Sequence, residues 1–169
     1  MWNDTDTPMA YLISFRCYGT WLHGDERFSM DRHNNQFGTP KYGKMEHWNE
    51  ISTDRLKHPP VTLNIHRRVS VEKAIRETCG KRGWLLSAIN VRTNHVHTVT
   101  MIAGKNPAIA LNAFKANATR QMREDGCWSH QWTPWADKGS ERWLWTEKHL
   151  ADAVAYVVNG QGYDLPTFE

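Results

Sequence analysis

Apolar and polar positions change rhythm several times along the chain, and each change predicts an element. From Met9 to Tyr18 the run Met-Ala-Tyr-Leu-Ile-Ser-Phe-Arg-Cys-Tyr is aromatic and branched, with polar breaks at Ser14 and Arg16, which predicts a first strand. Between Gly24 and Arg68 the composition turns to Asn, His, Pro, Gly and charges, with Phe37-Gly38-Thr39-Pro40 and His58-Pro59-Pro60 as turn signals. A long irregular insertion is expected there, of the kind that is usually functional or disordered. Ser70 is expected to N-cap a helix on which Val71, Ala74, Ile75, Thr78 and Cys79 share one face, ending near Gly80. Trp84 to Val91 then reads as a strand, Asn90 to Asn94 as a turn, and His95 to Ile102 as a neighbouring strand of period two.

The second half repeats the theme. A helix from Pro107 to Glu124 puts Leu111, Phe114, Ala118 and Met122 on its core side and Asn112, Lys115, Thr119 and Arg123 on another, before Gly126 stops it. A tryptophan-rich stretch follows, with a turn at Thr133-Pro134, a polar loop at Asp137-Lys138-Gly139-Ser140 and a short strand over Arg142 to Trp145. Thr146 is expected to cap a last helix, Glu147 to about Asn159, which buries Leu150, Val154 and Val157 and turns His149, Asp152, Tyr156 and Asn159 the other way. The order β, α, β, β, α, β, α predicts a ferredoxin-like α+β domain, a four-stranded antiparallel sheet covered by helices.

Composition narrows the class. A chain of 169 residues fits one domain, 1–169, with the insertion at about 24–68 inside it. At 40% hydrophobic and 23% charged residues it is not a disordered chain. No apolar run approaches the ~20 residues of a membrane helix, and the N-terminus lacks a basic region followed by an apolar one, so neither a membrane nor secretion is expected. Cys17, Cys79 and Cys127 are odd in number and far apart, which indicates neither a disulfide framework nor a zinc ribbon and makes a reducing cytoplasm the default. A net charge of +3 permits a polyanionic partner without demonstrating one. Most of the nine tryptophans are expected to fill core, although an exposed indole can stack on an unpaired base.

The chemistry-bearing residues are few. His95 and His97 are two apart on a predicted strand, so both rings leave the same face while Val96 enters the core. Two imidazoles that converge suit a borderline divalent metal with positions open for a phosphate, although a His-x-His pair is also found as two half-exposed strand residues. Tyr156, on the polar face of the last helix, is placed as a nucleophile rather than as packing. A phenol, with a pKa of about 10, needs help to attack phosphorus, which a metal on the scissile phosphate would supply.

Taken together, Asn94-His95-Val96-His97 at a strand start, Phe114-Lys115 on a helix and Ala155-Tyr156-Val157-Val158-Asn159 resemble the single-tyrosine HUH transposases, where U is a bulky hydrophobic residue, here Val96. The order of elements is similar to that of the REP-associated tyrosine transposases and the related small insertion-sequence transposases, from Met9 to Gln161, with Gly24 to Arg68 the part least covered. The resemblance implies recognition of a DNA hairpin, transesterification on the adjacent single strand through a 5′-phosphotyrosine, and rejoining by a 3′-hydroxyl. It implies His95 and His97 as metal ligands, Tyr156 as the nucleophile, Lys115 as a basic position facing DNA, and magnesium or manganese as the ion. The family's third ligand, a Gln or Asn four residues after the tyrosine, falls here on Gly160. That leaves Gln161, with the longer reach, or Asn159, which could instead cap the helix.

His23 could approach the site from the end of the first strand, but a loop histidine is the commoner outcome. Lys115, Arg120 and Arg123 are expected to track DNA phosphates, and a solvated basic face has the same composition. Single-stranded and hairpin DNA are the implied partners, met in the cytoplasm at the nucleoid. A homodimer sharing terminal helices and a monomer completing its own site both fit the family. A hairpin-binding protein of the same fold without cleavage is the alternative function.

Overall fold

The computed structural model describes residues 7–20, 56–163 and 165, so His23 and residues 24–55 of the expected insertion lie outside the described part. The elements run β1 (Ala10–Arg16), α1 (Ile65–Arg82), β2 (Leu85–Val91), β3 (His95–Met101), α2 (Pro107–Glu124), β4 (Ser140–Leu144) and α3 (Glu147–Asn159). The four strands form one open sheet in the order β2-β3-β1-β4, antiparallel at every pairing. β1 and β2, joined through α1, therefore lie on either side of β3.

Strand alternation divides the apolar residues between the two faces of the sheet. Tyr11, Ile13, Phe15 and Val96 join Val71 and Ile75 of α1 and Phe114 and Met122 of α2 in the main core. Ala10, Leu12 and Val99 face the other way, against Ala153 and Val157 of α3. The sheet is thus covered on both sides. Trp128 and Trp135 are core-fillers, whereas Trp143 and Trp145 are exposed on and just beyond the edge strand β4. Cys17, Cys79 and Cys127 are all free thiols. Among the described residues no helix is long and apolar enough to cross a membrane.

Three boundaries differ from expectation. α1 begins at Ile65, with Asn64 rather than Ser70 as its N-cap: Asn64 Oδ1 accepts from the Arg67 N–H at 3.0 Å. Ser70 lies a turn and a half inside, where its hydroxyl donates to the Asp125 carboxylate at 2.6 Å and ties α1 to the end of α2. The helix runs on past Gly80 to Arg82 and stops where Gly83 adopts the left-handed conformation, φ 69°. β4 starts earlier than Arg142, because Ser140 of the polar loop already pairs with Ser14.

A further difference matters most for the site. Tyr156 is not on an outer face: it is half-buried and packs with Leu150 and Val154 against the smaller core. The face of the sheet under α3 carries polar side chains among its apolar ones, so a residue with an apolar ring and a polar tip fits at that boundary.

Candidate functional site

β3 enters the sheet between β1 and β2, and its register puts Ser14 and Asn90 on either side of His97, with Arg16 opposite His95. Period two sends both histidines to the α3 side while Val96 enters the main core. Their rings stand 4.8 Å apart, centroid to centroid. α3 covers this face, and His97 is left only 3% exposed.

Each imidazole is held by a neighbour. His97 Nδ1 meets Ser14 Oγ at 2.5 Å, so with the proton on Nδ1 the ring's lone pair lies on the buried Nε2. His95 Nδ1 meets Asn94 Oδ1 at 2.7 Å, and its Nε2 meets Gln161 Oε1 at 3.0 Å. The orientation of the Gln161 amide is set by its other end, which donates to the Tyr156 carbonyl at 3.0 Å.

That arrangement places His95 between two acceptor oxygens. A neutral imidazole carries one N–H, which serves the Gln161 oxygen, and turning the Asn94 amide end for end gives Nδ1 a donor there. A metal held by His95 Nε2 and Gln161 Oε1 would take the place of that ring proton. The 3.0 Å separation matches the roughly 3.0 Å between adjacent ligands of an octahedral ion bound at about 2.1 Å. The donor set fits magnesium or manganese in this respect, as two imidazole nitrogens and an amide oxygen. Among the described residues no group of three or more His, Cys, Asp or Glu could hold a metal, and an amide ligand falls outside such a group.

Tyr156 completes the cluster, its ring 5.3 Å from that of His97 and tilted by 63°. Its carbonyl also accepts from the Gly160 N–H at 2.9 Å, which closes α3. A Cβ on Gly160 would fall 2.7 Å from that carbonyl oxygen and 3.1 Å from Tyr156 Cδ2. Glycine here lets the chain turn tightly enough to bring Gln161 back over the tyrosine to His95. Asn159 is exposed at the end of the helix and Gly160, not Asn159, is the C-cap. Tyr163, beyond the turn, is 96% exposed.

The basic candidates lie apart from this cluster. Lys115 Nζ donates to the carbonyls of Ala136 and Lys138, and burial pushes its pKa down to about 8, against the opposing pull of Asp137. It ties α2 to the loop before β4 instead of facing outward. Arg120 and Arg123 are exposed. Arg120 lies 3.9 Å from Glu124, and Arg123 donates to the His130 carbonyl at 3.1 Å.

Two residues that hold the histidines, Ser14 and Asn94, have no role that the sequence alone assigns. Ser14 interrupts an apolar strand, and a polar residue inside a strand that is covered on both faces is the signal that marks it. No family model matches the chain, and no curated protein matches it.

Proposed function

We propose that this chain is a metal-dependent endonuclease and strand-transferase for single-stranded DNA, acting beside a DNA hairpin through Tyr156 in a ferredoxin-like domain. One observation carries the reading: His95, His97, Gln161 and Tyr156, drawn from a sheet strand and from the end of the terminal helix, meet at one point. These are the residues that the resemblance to single-tyrosine HUH transposases implies, with Gln161 in the place of the third ligand.

In cleavage, Tyr156 Oη forms a bond to phosphorus, its proton leaves to solvent, and the 3′ oxygen departs with its electron pair and is protonated. The product is a 5′-phosphotyrosine. Rejoining reverses these steps with a 3′-hydroxyl, so no water or nucleotide is consumed. A magnesium or manganese ion held by His95, His97 and Gln161 would supply Lewis-acid polarisation of a non-bridging phosphate oxygen. The chain's own part is orientation: Ser14 holds one imidazole, Asn94 the other, and the Tyr156 carbonyl fixes the Gln161 amide. Arg120 and Arg123 offer phosphate contacts on α2.

The partial burial of Tyr156 favours one second reading, a hairpin-binding protein of the same fold that does not cleave. Labelled single-stranded DNA carrying a hairpin, incubated with the protein and magnesium or manganese and run on a denaturing gel, separates the two. A covalent adduct that forms in the parent, stops with a chelator and is absent from Tyr156→Phe supports cleavage. Hairpin binding by the parent with no adduct under any divalent ion supports the second reading.

A further inference from the structure

β2 lies at one end of the sheet order, and where it finishes a groove of about 410 Å³ opens between α1 and the last turn of α3. Val69 and Glu72 of α1, Asn90 and Arg92 at and just past the end of β2, and Val158 and Gly162 at and just past the end of α3 line it. These residues adjoin the proposed site. The Arg92 N–H donates to the His95 carbonyl at 2.8 Å, Asn90 pairs with His97 across the two strands, and Gly162 follows Gln161. Side chains fasten the groove to the same segment: Asn90 Nδ2 donates to the Val157 carbonyl at 2.9 Å and Arg92 Nη2 to the Tyr163 carbonyl at 2.8 Å. Gly162, at φ 90°, leaves room beside the guanidinium, since a Cβ there would come 3.9 Å from Arg92 Nη2.

The lining is apolar on its two helices and polar between them. Val69 and Val158 are 58% and 57% exposed, one on each flank. Besides the N–H given to Val157, the Asn90 carboxamide has a second N–H and an oxygen, the groups with which an amide reads the edge of a base. Arg68 and Arg92 bring two cations against one carboxylate, Glu72, which is itself paired with Arg76 at 2.8 Å. The groove is therefore net positive, and its volume is that of a small-molecule site. A ligand with flat apolar faces, a polar edge and an attached negative charge fits it. We propose that this groove seats the unpaired nucleotide beside the scissile phosphate, its base between Val69 and Val158 against Asn90 and its own phosphate toward Arg92. The assignment rests on the strand-transfer reading, to which it adds a choice of cutting position. His95, His97 and Gln161 act on whichever phosphate reaches them, and the groove admits a phosphate only beside a base that fits.

Val158→Trp and Val69→Trp test the assignment by filling the groove from exposed helix positions, where substitution disturbs stability little. The substrate is a DNA hairpin with single-stranded flanks, in which an abasic nucleotide is moved one position at a time while single-turnover adduct formation is measured. In the parent, one abasic position beside the cleaved bond is expected to slow the reaction by about 10–100-fold, the worth of one base read at its edge or stacked. In Val158→Trp the intact substrate should be slowed to a similar extent and that abasic position should cost nothing more, with the Kd of a hairpin lacking flanks unchanged. Val69→Trp, on the opposite wall, gives the same reading if Val158→Trp fails to fold. An active parent with no such position, or tryptophan variants that keep the parental rate and profile, overturns the groove assignment alone. A parent that forms no adduct overturns the strand-transfer reading, and the same scan read as Kd then judges the groove. A penalty at one position that disappears in Val158→Trp supports a nucleotide seat, and a flat profile ends it.

Discussion

At the scale of single residues, the site depends on which ring nitrogen each histidine presents. His95 and His97 both use Nδ1 for a neighbour in the protein, Asn94 and Ser14, which leaves Nε2 to meet Gln161 in His95 and to lie buried in His97. Partners of this kind fix tautomer and ring orientation, and their loss typically lowers metal affinity or activity by about 10–100-fold. Ser14→Ala should therefore weaken manganese binding, followed by isothermal calorimetry, by roughly 10–100-fold. The fold should survive, since the change removes one oxygen from a strand that keeps its backbone pairing. Unaltered affinity in Ser14→Ala would mean that His97 needs no holder and that its role lies outside metal binding. The pair His95 and His97 was legible in the sequence because period two forces both rings to one face. Ser14 was not, because it is far away in sequence and only the β1–β3 register brings it opposite His97.

At the scale of elements, α3 was legible almost to the residue, since Thr146 caps it by accepting from the His149 N–H at 3.1 Å. Its orientation was not. A helical pattern separates an apolar stripe from a polar one, but it does not show that the surface beneath is itself mixed, and that mixture draws Tyr156 inward. The start of α1 was misread for a related reason: Asn64 and Ser70 are both good caps, and the choice went to the one whose flanking chain, Leu63, is buried in the core. The turn after α3 is where an element boundary becomes functional. Gly160→Ala puts a methyl carbon 2.7 Å from the Tyr156 carbonyl, so the turn must open and Gln161 must move away from His95. A displacement near 1 Å in a reacting constellation can cost about 10²-fold. Gly160→Ala should thus form adduct roughly tenfold to a hundredfold more slowly, with little change in circular dichroism. Adduct formation at the parental rate would show that Gln161 is not required where it now sits.

At the scale of the whole molecule, the two faces of the sheet are unequal. α1, α2 and a large set of aromatic and aliphatic residues cover one face, whereas among the described residues the other is closed by α3 over Ala10, Leu12, Ala88, Val99, Leu144, Ala153 and Val157. A layer held by so few apolar side chains is expected to open at lower free energy than the rest. The proposed ligands bridge that weak seam, His95 and His97 from the sheet and Gln161 from the chain just beyond α3. An ion bound there would join the third layer to the second, and binding only to the folded state stabilises it by mass action. At an ion concentration a hundred times its Kd the gain is about 2.7 kcal/mol, which for a domain of this size corresponds to a rise in melting temperature of roughly 5–11 °C. That rise should appear with magnesium or manganese in the parent and vanish in His97→Ala. Hydrogen exchange should place the added protection in α3 and residues 160–163 and leave α1 and α2 nearly unaffected, because only the bridged layer gains a new tie. A parent whose melting temperature ignores both ions up to millimolar concentrations would leave His95, His97 and Gln161 as a hydrogen-bonded cluster without a metal, and α3 held by its small core alone.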